Sequence, residues 1–143
     1  MYLIPFNILE KINKFKKFND KRDVFAYDFD GVVSLGINPR NSNDIIITGR
    51  CIDEQEYVRN ILKERGIKCK VYFNPMTYAE RGDHTVEARG FSGNHKANKI
   101  KELKGLGVNV VRFFEDDPIQ YDIISKNHPD LEIIHIVSTL VQK

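Results

Sequence analysis

The sequence predicts an α/β fold in which a mostly parallel sheet lies between layers of helices. Apolar strand-like runs alternate along the chain with stretches of helical periodicity, and this alternation favours right-handed crossovers and a parallel sheet. Five strand-like runs are present, and the run over 44–48 is continuously apolar in its middle, as in strands buried on both faces. We therefore expect a Rossmann-like three-layer sandwich with a central five-stranded sheet.

The first half of the chain predicts two helices and three strands. Apolar residues at spacings of three and four, Ile8, Ile12, Phe15 and Phe18, predict a helix over 5–20. The same spacing predicts a helix over 53–65, which Gly66 ends. The strands are expected over 23–29, 44–48 and 68–73, with a loop over 33–43.

The second half continues the alternation after a polar stretch over 74–94. A helix over 95–104 carries Ala97, Ile100 and Leu103. Asp117 followed by Pro118 is typical of an N-cap with proline at the first helical position, which predicts a helix over 118–127. Strands are expected over 108–114 and 131–137.

The composition limits the classes of protein considered. The 143 residues suit one domain over 1–143. No run approaches the roughly 20 apolar residues of a membrane helix, so we expect a cytoplasmic protein without a membrane partner. Cys51 and Cys69 form no disulfide framework. Six basic residues between Lys11 and Arg22 either form a solvated helix face or attract phosphate-rich partners.

Polar residues follow three of the predicted strands where each strand ends. Asp28 and Asp30 follow the first, Thr48 ends the second, and Glu115 and Asp116 follow the fourth. Ligands of open α/β sheets bind outside this carboxyl edge. Several carboxylates without imidazole or thiolate partners make an oxygen site that suits Mg²⁺. A nearby hydroxyl and a lysine near 96–99 suit a phosphoryl group.

These motifs together resemble the haloacid dehalogenase (HAD) superfamily of aspartate-nucleophile phosphatases. The order is Asp28-Phe-Asp30-Gly-Val, then Ile-Ile-Ile-Thr48-Gly-Arg, then a lysine opening a helix, then Phe-Phe-Glu115-Asp116-Asp117. The four motifs span about 23–137. The resemblance implies a Mg²⁺-dependent phosphatase that acts on a phosphorylated substrate.

The resemblance also implies a role for each matched residue. Asp28 would attack phosphorus and bind the metal. Asp30 would act as general acid and base, with its backbone carbonyl on the metal. The Thr48 hydroxyl and the Gly49 amide would hold a phosphate oxygen, and Arg50 either meets the substrate phosphate or lies on the surface.

For the lysine and for the metal-binding acid, two neighbouring residues could each match the motif. Lys96 lies one turn before Ile100 and shares its inward face, so we expect Lys96 rather than Lys99 in the site. Asp117 is occupied as an N-cap, which leaves Asp116 as the better metal ligand. Glu115 would be a second or outer ligand.

The substrate is less constrained than the reaction. The segment over 33–43 is too short for a cap domain, and 74–94 has room only for a minimal cap or flap, with a hairpin near 85–88. Arg81, His84 and Arg89 in this segment could touch substrate.

An open site suits a large substrate, or a small one if a neighbouring subunit supplies the lid. Thr48-Gly-Arg50 and the small body also resemble the phosphatase domain of polynucleotide kinase-phosphatases, which suggests nucleic-acid 3′-phosphate ends. A nucleotide or small-metabolite phosphatase is the alternative.

Two other classes of function fit part of this pattern. A receiver-type signalling domain also places acids, a hydroxyl and a lysine around Mg²⁺, but its lysine comes last in the chain. Here the acid pair follows the lysine. A non-catalytic binding module of the same fold is the second rival, against which the intact pair of Asp28 and Asp30 argues.

Overall fold

A computed structural model describes residues 22–137, so the predicted helix over 5–20 and most of the basic run lie outside the described residues. The strands are β1 (Arg22–Tyr27), β2 (Ile45–Cys51), β3 (Lys70–Asn74), β4 (Val108–Glu115) and β5 (Glu132–His135). The helices are α1 (Gln55–Glu64), α2 (Tyr78–Arg81), α3 (Val86–Gly105) and α4 (Pro118–Asn127), and 3₁₀ turns cover Val33–Leu35 and Ile52–Glu54. None of these helices is long and apolar enough to cross a membrane.

All five strands are parallel and lie in the order β3-β2-β1-β4-β5. The chain runs from β1 outward to β2 and β3, and then crosses to the other side for β4 and β5. The direction of winding therefore changes between β1 and β4, and such a switch point opens a crevice at the carboxyl edge of the sheet. The predicted fold class is confirmed, with a sheet that is parallel throughout.

The sheet is covered on both faces, which gives the three layers. In β2, Ile45 and Ile47 pack into a cluster with Ile100 of α3. Ile46 points to the opposite face and packs into a cluster with Val58 of α1. Because strand side chains alternate between faces, the continuous apolar run of β2 matches burial on both sides.

Helix α3 is longer than predicted. The expected helix over 95–104 begins instead at Val86, and the hairpin expected near 85–88 is wrong. Thr85 is the N-cap, and its side chain accepts a hydrogen bond from the Ala88 amide at 3.1 Å. A polar N-cap residue directly before the new helix start explains the boundary.

Close packing against α4 explains why the part of α3 around Gly93 is helical although it contains glycine. A Cβ at Gly93 would lie 2.9 Å from Ile123 Cδ1 and 3.2 Å from the Gln120 Cα of α4. Glycine in a helix interior costs about 1 kcal/mol relative to alanine. Here its small size lets α3 and α4 approach, so tertiary packing outweighs the local preference.

Candidate functional site

The residues predicted for the site gather around one cleft at the carboxyl edge of the sheet. The cleft has a volume of about 540 Å³. Of the predicted site residues, its lining includes Asp28, Asp30, Gly49, Arg50, Lys96 and Asp116. Asp28 and Asp30 follow β1, and Gly49 and Arg50 lie in β2. Lys96 comes from α3, and Asp116 follows β4. Thr48 and Glu115 are fully buried behind this surface.

Lys96 is the cation at the floor of the cleft. Its side chain is fully buried, and its Nζ lies 3.0 Å from Asp28 Oδ1 and 2.5 Å from Glu115 Oε1. Burial alone would lower the pKa of Lys96, but Asp28 and Glu115 outweigh this effect and raise it. Lys99 instead pairs with Glu102 at 3.1 Å, away from the acids. The structure thus places Lys96, and not its neighbour, in the cluster.

Glu115 holds the cluster together from beneath. Its Oε1 accepts a hydrogen bond from Lys96, while its Oε2 accepts from the amides of Asp116 at 3.0 Å and Asp117 at 3.3 Å. Both carboxylate oxygens are therefore already engaged. This arrangement suits an orienting role for Glu115 better than direct contact with a metal.

Asp28 presents its carboxylate to the cleft from the end of β1. Its amide donates to the Phe114 carbonyl at 2.9 Å, which continues the pairing of β1 with β4. Oδ1 accepts from the Phe29 amide at 2.8 Å and faces Lys96, which leaves Oδ2 for another partner. Burial, and then the charge of Glu115, raise the pKa of Asp28 well above its usual value.

Asp116 is the third acid of the cluster. Burial, followed by the nearby charge of Asp28, raises the pKa of Asp116 to about 7. Within residues 22–137, one group of acid side chains brings ligand oxygens within 4.8 Å of one another, and its members are Asp28, Glu115 and Asp116. Three carboxylates face a single ammonium, so the fully ionised cluster carries an excess of negative charge.

Gly31 makes the approach of Asp116 possible. A Cβ at position 31 would lie only 2.0 Å from Asp116 Oδ2, and the backbone there has φ +78°. Only glycine meets both conditions without strain. The turn after β1 and the loop after β4 are therefore fitted to each other at this point.

The donor set fits a hard divalent cation. Closely spaced carboxylates repel unless a cation or a proton compensates, and burial, followed by this repulsion, raises the pKa values of Asp28 and Asp116. Carboxylate oxygens without sulfur or imidazole suit Mg²⁺. Asp28 and Asp116 are the side chains that would hold such an ion, since the oxygens of Glu115 are engaged.

Asp30 lies apart from this group and pairs with Arg50. The guanidinium Nε and Nη2 donate to its two oxygens at 2.9 Å each, and Nη1 donates to Glu54 Oε2 at 2.9 Å. A bidentate pair of this type is both strong and directional. Half of the Asp30 side chain remains exposed at the cleft.

Thr48 lies beneath the surface of the cleft, whereas Gly49 lines it. Thr48 is fully buried, and its Oγ1 accepts from the Arg50 amide at 3.0 Å. Gly49 lines the cleft, and a Cβ there would lie 2.6 Å from Ser92 Oγ. Helix α3 thus packs directly against this segment of β2. The predicted phosphate contact at Thr48 stays a prediction.

The segment between β3 and α3 forms one wall of the cleft together with the start of α3. It contributes Tyr78, Arg81, Asp83 and His84 to the cleft, and Arg89 comes from the first turns of α3. Three of these, Arg81, His84 and Arg89, were noted in the sequence as candidate substrate contacts. Tyr78 and Asp83 were missed, because a four-residue helix and the turn after it have no periodicity to reveal them. Whether this wall acts as a cap stays a prediction.

The arginines of the cleft lie against acids. Arg89 pairs with Asp117 through both of its carboxylate oxygens, and this pairing lowers the pKa of Asp117 despite its burial. Asp117 also accepts from the Ile119 amide at 3.0 Å, as expected of the N-cap of α4. The spacing of Arg89, Ser92 and Lys96 would have placed all three on one helix face if α3 had been predicted to begin at Val86.

No protein-family model matches this chain, and neither a curated protein nor a solved structure is significantly similar to it. Function is therefore inferred from the fold and from the residues of the site.

Proposed function

We propose that this protein is a Mg²⁺-dependent phosphomonoester hydrolase that works through an aspartyl-phosphate on Asp28, in the manner of the HAD superfamily it resembles. The observation that carries the proposal is the buried cluster at the floor of the cleft. In it Lys96 bridges Asp28 and Glu115, and Asp116 adds further negative charge. Such a cluster provides a nucleophile, a fixed cation and a place for a metal.

The first half of the reaction transfers the phosphoryl group to the protein. A carboxylate oxygen of Asp28 forms a bond to phosphorus while the bond from phosphorus to the ester oxygen breaks. Asp30 gives a proton to the departing oxygen, so that an alcohol leaves. Arg50 must first release Asp30, and the substrate phosphate is a suitable competitor for its guanidinium.

The second half releases phosphate and restores the protein. Asp30, now a carboxylate, takes a proton from water as the water oxygen bonds to phosphorus, and the bond between phosphorus and Asp28 breaks. Lys96 remains beside Asp28 and offsets negative charge in both steps.

The metal would supply charge neutralisation for the phosphoryl group during transfer. Asp28 and Asp116 would hold it, together with the Asp30 backbone carbonyl that the family resemblance implies. A 3′-phosphorylated nucleic-acid end and a mononucleotide or small metabolite are the substrates proposed for the cleft.

The proposal is tested with p-nitrophenyl phosphate in the presence and absence of Mg²⁺. We expect release of p-nitrophenol that EDTA abolishes and Mg²⁺ restores, and we expect Asp28→Asn to remove it. Asp122→Asn is the matched control, because Asp122 is an exposed aspartate on α4 outside the cleft.

Absence of turnover with Mg²⁺, Mn²⁺ or Co²⁺ would favour the rival interpretation of a non-catalytic binding module. Turnover that survives Asp28→Asn would refute the assigned nucleophile.

A further inference from the structure

Tyr78 is an aromatic side chain left open at the wall of the cleft. It is 40% exposed and lines the same cleft as Asp28. A single exposed tyrosine is ordinary on a protein surface. This one is distinguished by the way its backbone and ring are fixed relative to the site.

The backbone at Tyr78 is held by its neighbours in the fold. Its amide donates to Asp53 Oδ1 at 3.0 Å, which ties α2 to the turn that follows β2. Thr77 and Glu80 form a reciprocal capping pair at the start of this short helix. The segment is therefore a braced part of the wall.

The ring itself lies against a charged side chain. The Arg81 guanidinium lies over it, with Cζ 5.4 Å from the ring centroid.

Arg81 connects the ring to the predicted phosphate grip. Its side chain is buried, and its Nη1 donates to the Gly49 carbonyl at 2.7 Å. One guanidinium therefore spans from the ring of Tyr78 to the segment whose amide is proposed to bind phosphate. An ester bound at Asp28 would direct its leaving group into a cleft that Tyr78 borders.

We infer that Tyr78 forms a leaving-group subsite that takes a flat ring, such as the nucleobase of a nucleoside phosphate or of a phosphorylated nucleic-acid end. This inference rests on the proposed phosphatase function and specifies its substrate class. Exposed tyrosine rings stack on bases irrespective of sequence, and removing one such ring weakens binding by about 5- to 150-fold. The subsite therefore selects phosphate esters that carry a ring over those that do not.

The test compares adenosine 3′-phosphate with glycerol 2-phosphate. Both are phosphate monoesters of a secondary alcohol, and only the first carries a nucleobase. We expect Tyr78→Ala to lower the ratio of their kcat/KM values by about tenfold, and Tyr78→Phe to keep most of it. Val86→Ala is the control variant, because Val86 is an exposed apolar residue outside the cleft lining. A ratio that stays within twofold in Tyr78→Ala, or that falls equally in Tyr78→Phe, would overturn the subsite.

A 3′-phosphorylated oligonucleotide forms the third arm. Its faster hydrolysis, with the same dependence on Tyr78, would identify a nucleic-acid end as the source of the ring, whereas faster hydrolysis of the mononucleotide would identify the free nucleotide.

If the wild-type protein hydrolyses none of these esters, the proposed function fails. Calorimetric binding of adenosine 3′-phosphate with Mg²⁺ then tests the subsite separately. Binding about tenfold weaker in Tyr78→Ala would support it, whereas equal affinity, or no binding to the wild type, would overturn it.

Discussion

Replacing Gly31 by alanine tests the fit between the turn after β1 and the loop that carries Asp116. The new Cβ would lie 2.0 Å from Asp116 Oδ2. Ordinary contact begins at 3.4 Å, so the carboxylate must retreat by about 1.4 Å. A shift of about 1 Å in a reacting or positioning group can reduce catalysis about 100-fold. The left-handed backbone adds a stability cost of about 1–2 kcal/mol for any residue with a Cβ.

Gly66→Ala is the matched control for this substitution. Gly66 also has a left-handed backbone, with φ +67°, and no heavy atom lies within 4 Å of its added Cβ. Both variants should therefore lose about 1–2 kcal/mol in urea unfolding. Only Gly31→Ala should also lose Mg²⁺-dependent hydrolysis of p-nitrophenyl phosphate, by about 100-fold. Equal activity in the two variants would refute the reasoning.

Three further substitutions probe single groups. Lys96→Met leaves buried Asp28 and Glu115 without their cation. It should lower the free energy of unfolding by about 3–5 kcal/mol. A urea midpoint equal to that of the control variant Lys99→Met would contradict this. Asp44→Asn removes the charge of a buried carboxylate that accepts hydrogen bonds from the Phe25 amide and the Arg40 side chain, at the sheet edge opposite the cleft. It should lower stability by about 1–3 kcal/mol while the kcat of the folded protein stays unchanged. Burial lowers the pKa of His95 to about 4. The unfolded chain binds this proton near pH 6.5, so stability should fall by up to about 3 kcal/mol as pH drops from about 6.5 to about 4. His95→Gln should flatten that slope in urea midpoints measured across this range, and an unchanged slope would refute the assignment.

The sequence was most informative about the sheet and its carboxyl edge. Continuous apolar runs set the strands, and Asp117 with Pro118 predicted the start of α4 at the residue where it begins. Lys96 was placed by its spacing from Ile100, which is a local property of a helix. These predictions succeeded because each depends on residues close together in the chain.

The missed features depend on contacts between distant segments. Thr85 is a local N-cap signal for the start of α3, but the glycine-containing turns after it are helical because Gly93 packs against α4, which local helix preference does not register. The pairing of Asp30 with Arg50 joins the turn after β1 to strand β2, twenty residues away in the chain. Tyr78 reaches the cleft only because Arg81 and Asp53 fix a short connecting helix against β2 and its turn. Such contacts become visible only in the folded chain.

The most direct test of the proposed function is chemical trapping of phosphorylated Asp28. The protein is mixed with excess p-nitrophenyl phosphate and Mg²⁺, quenched within one turnover, treated with borohydride and digested for mass spectrometry. An aspartyl-phosphate is reduced to homoserine, so we expect homoserine at position 28, dependent on Mg²⁺ and on substrate. Mg²⁺-dependent release of phosphate with an unmodified Asp28, or homoserine at another acid, would contradict it.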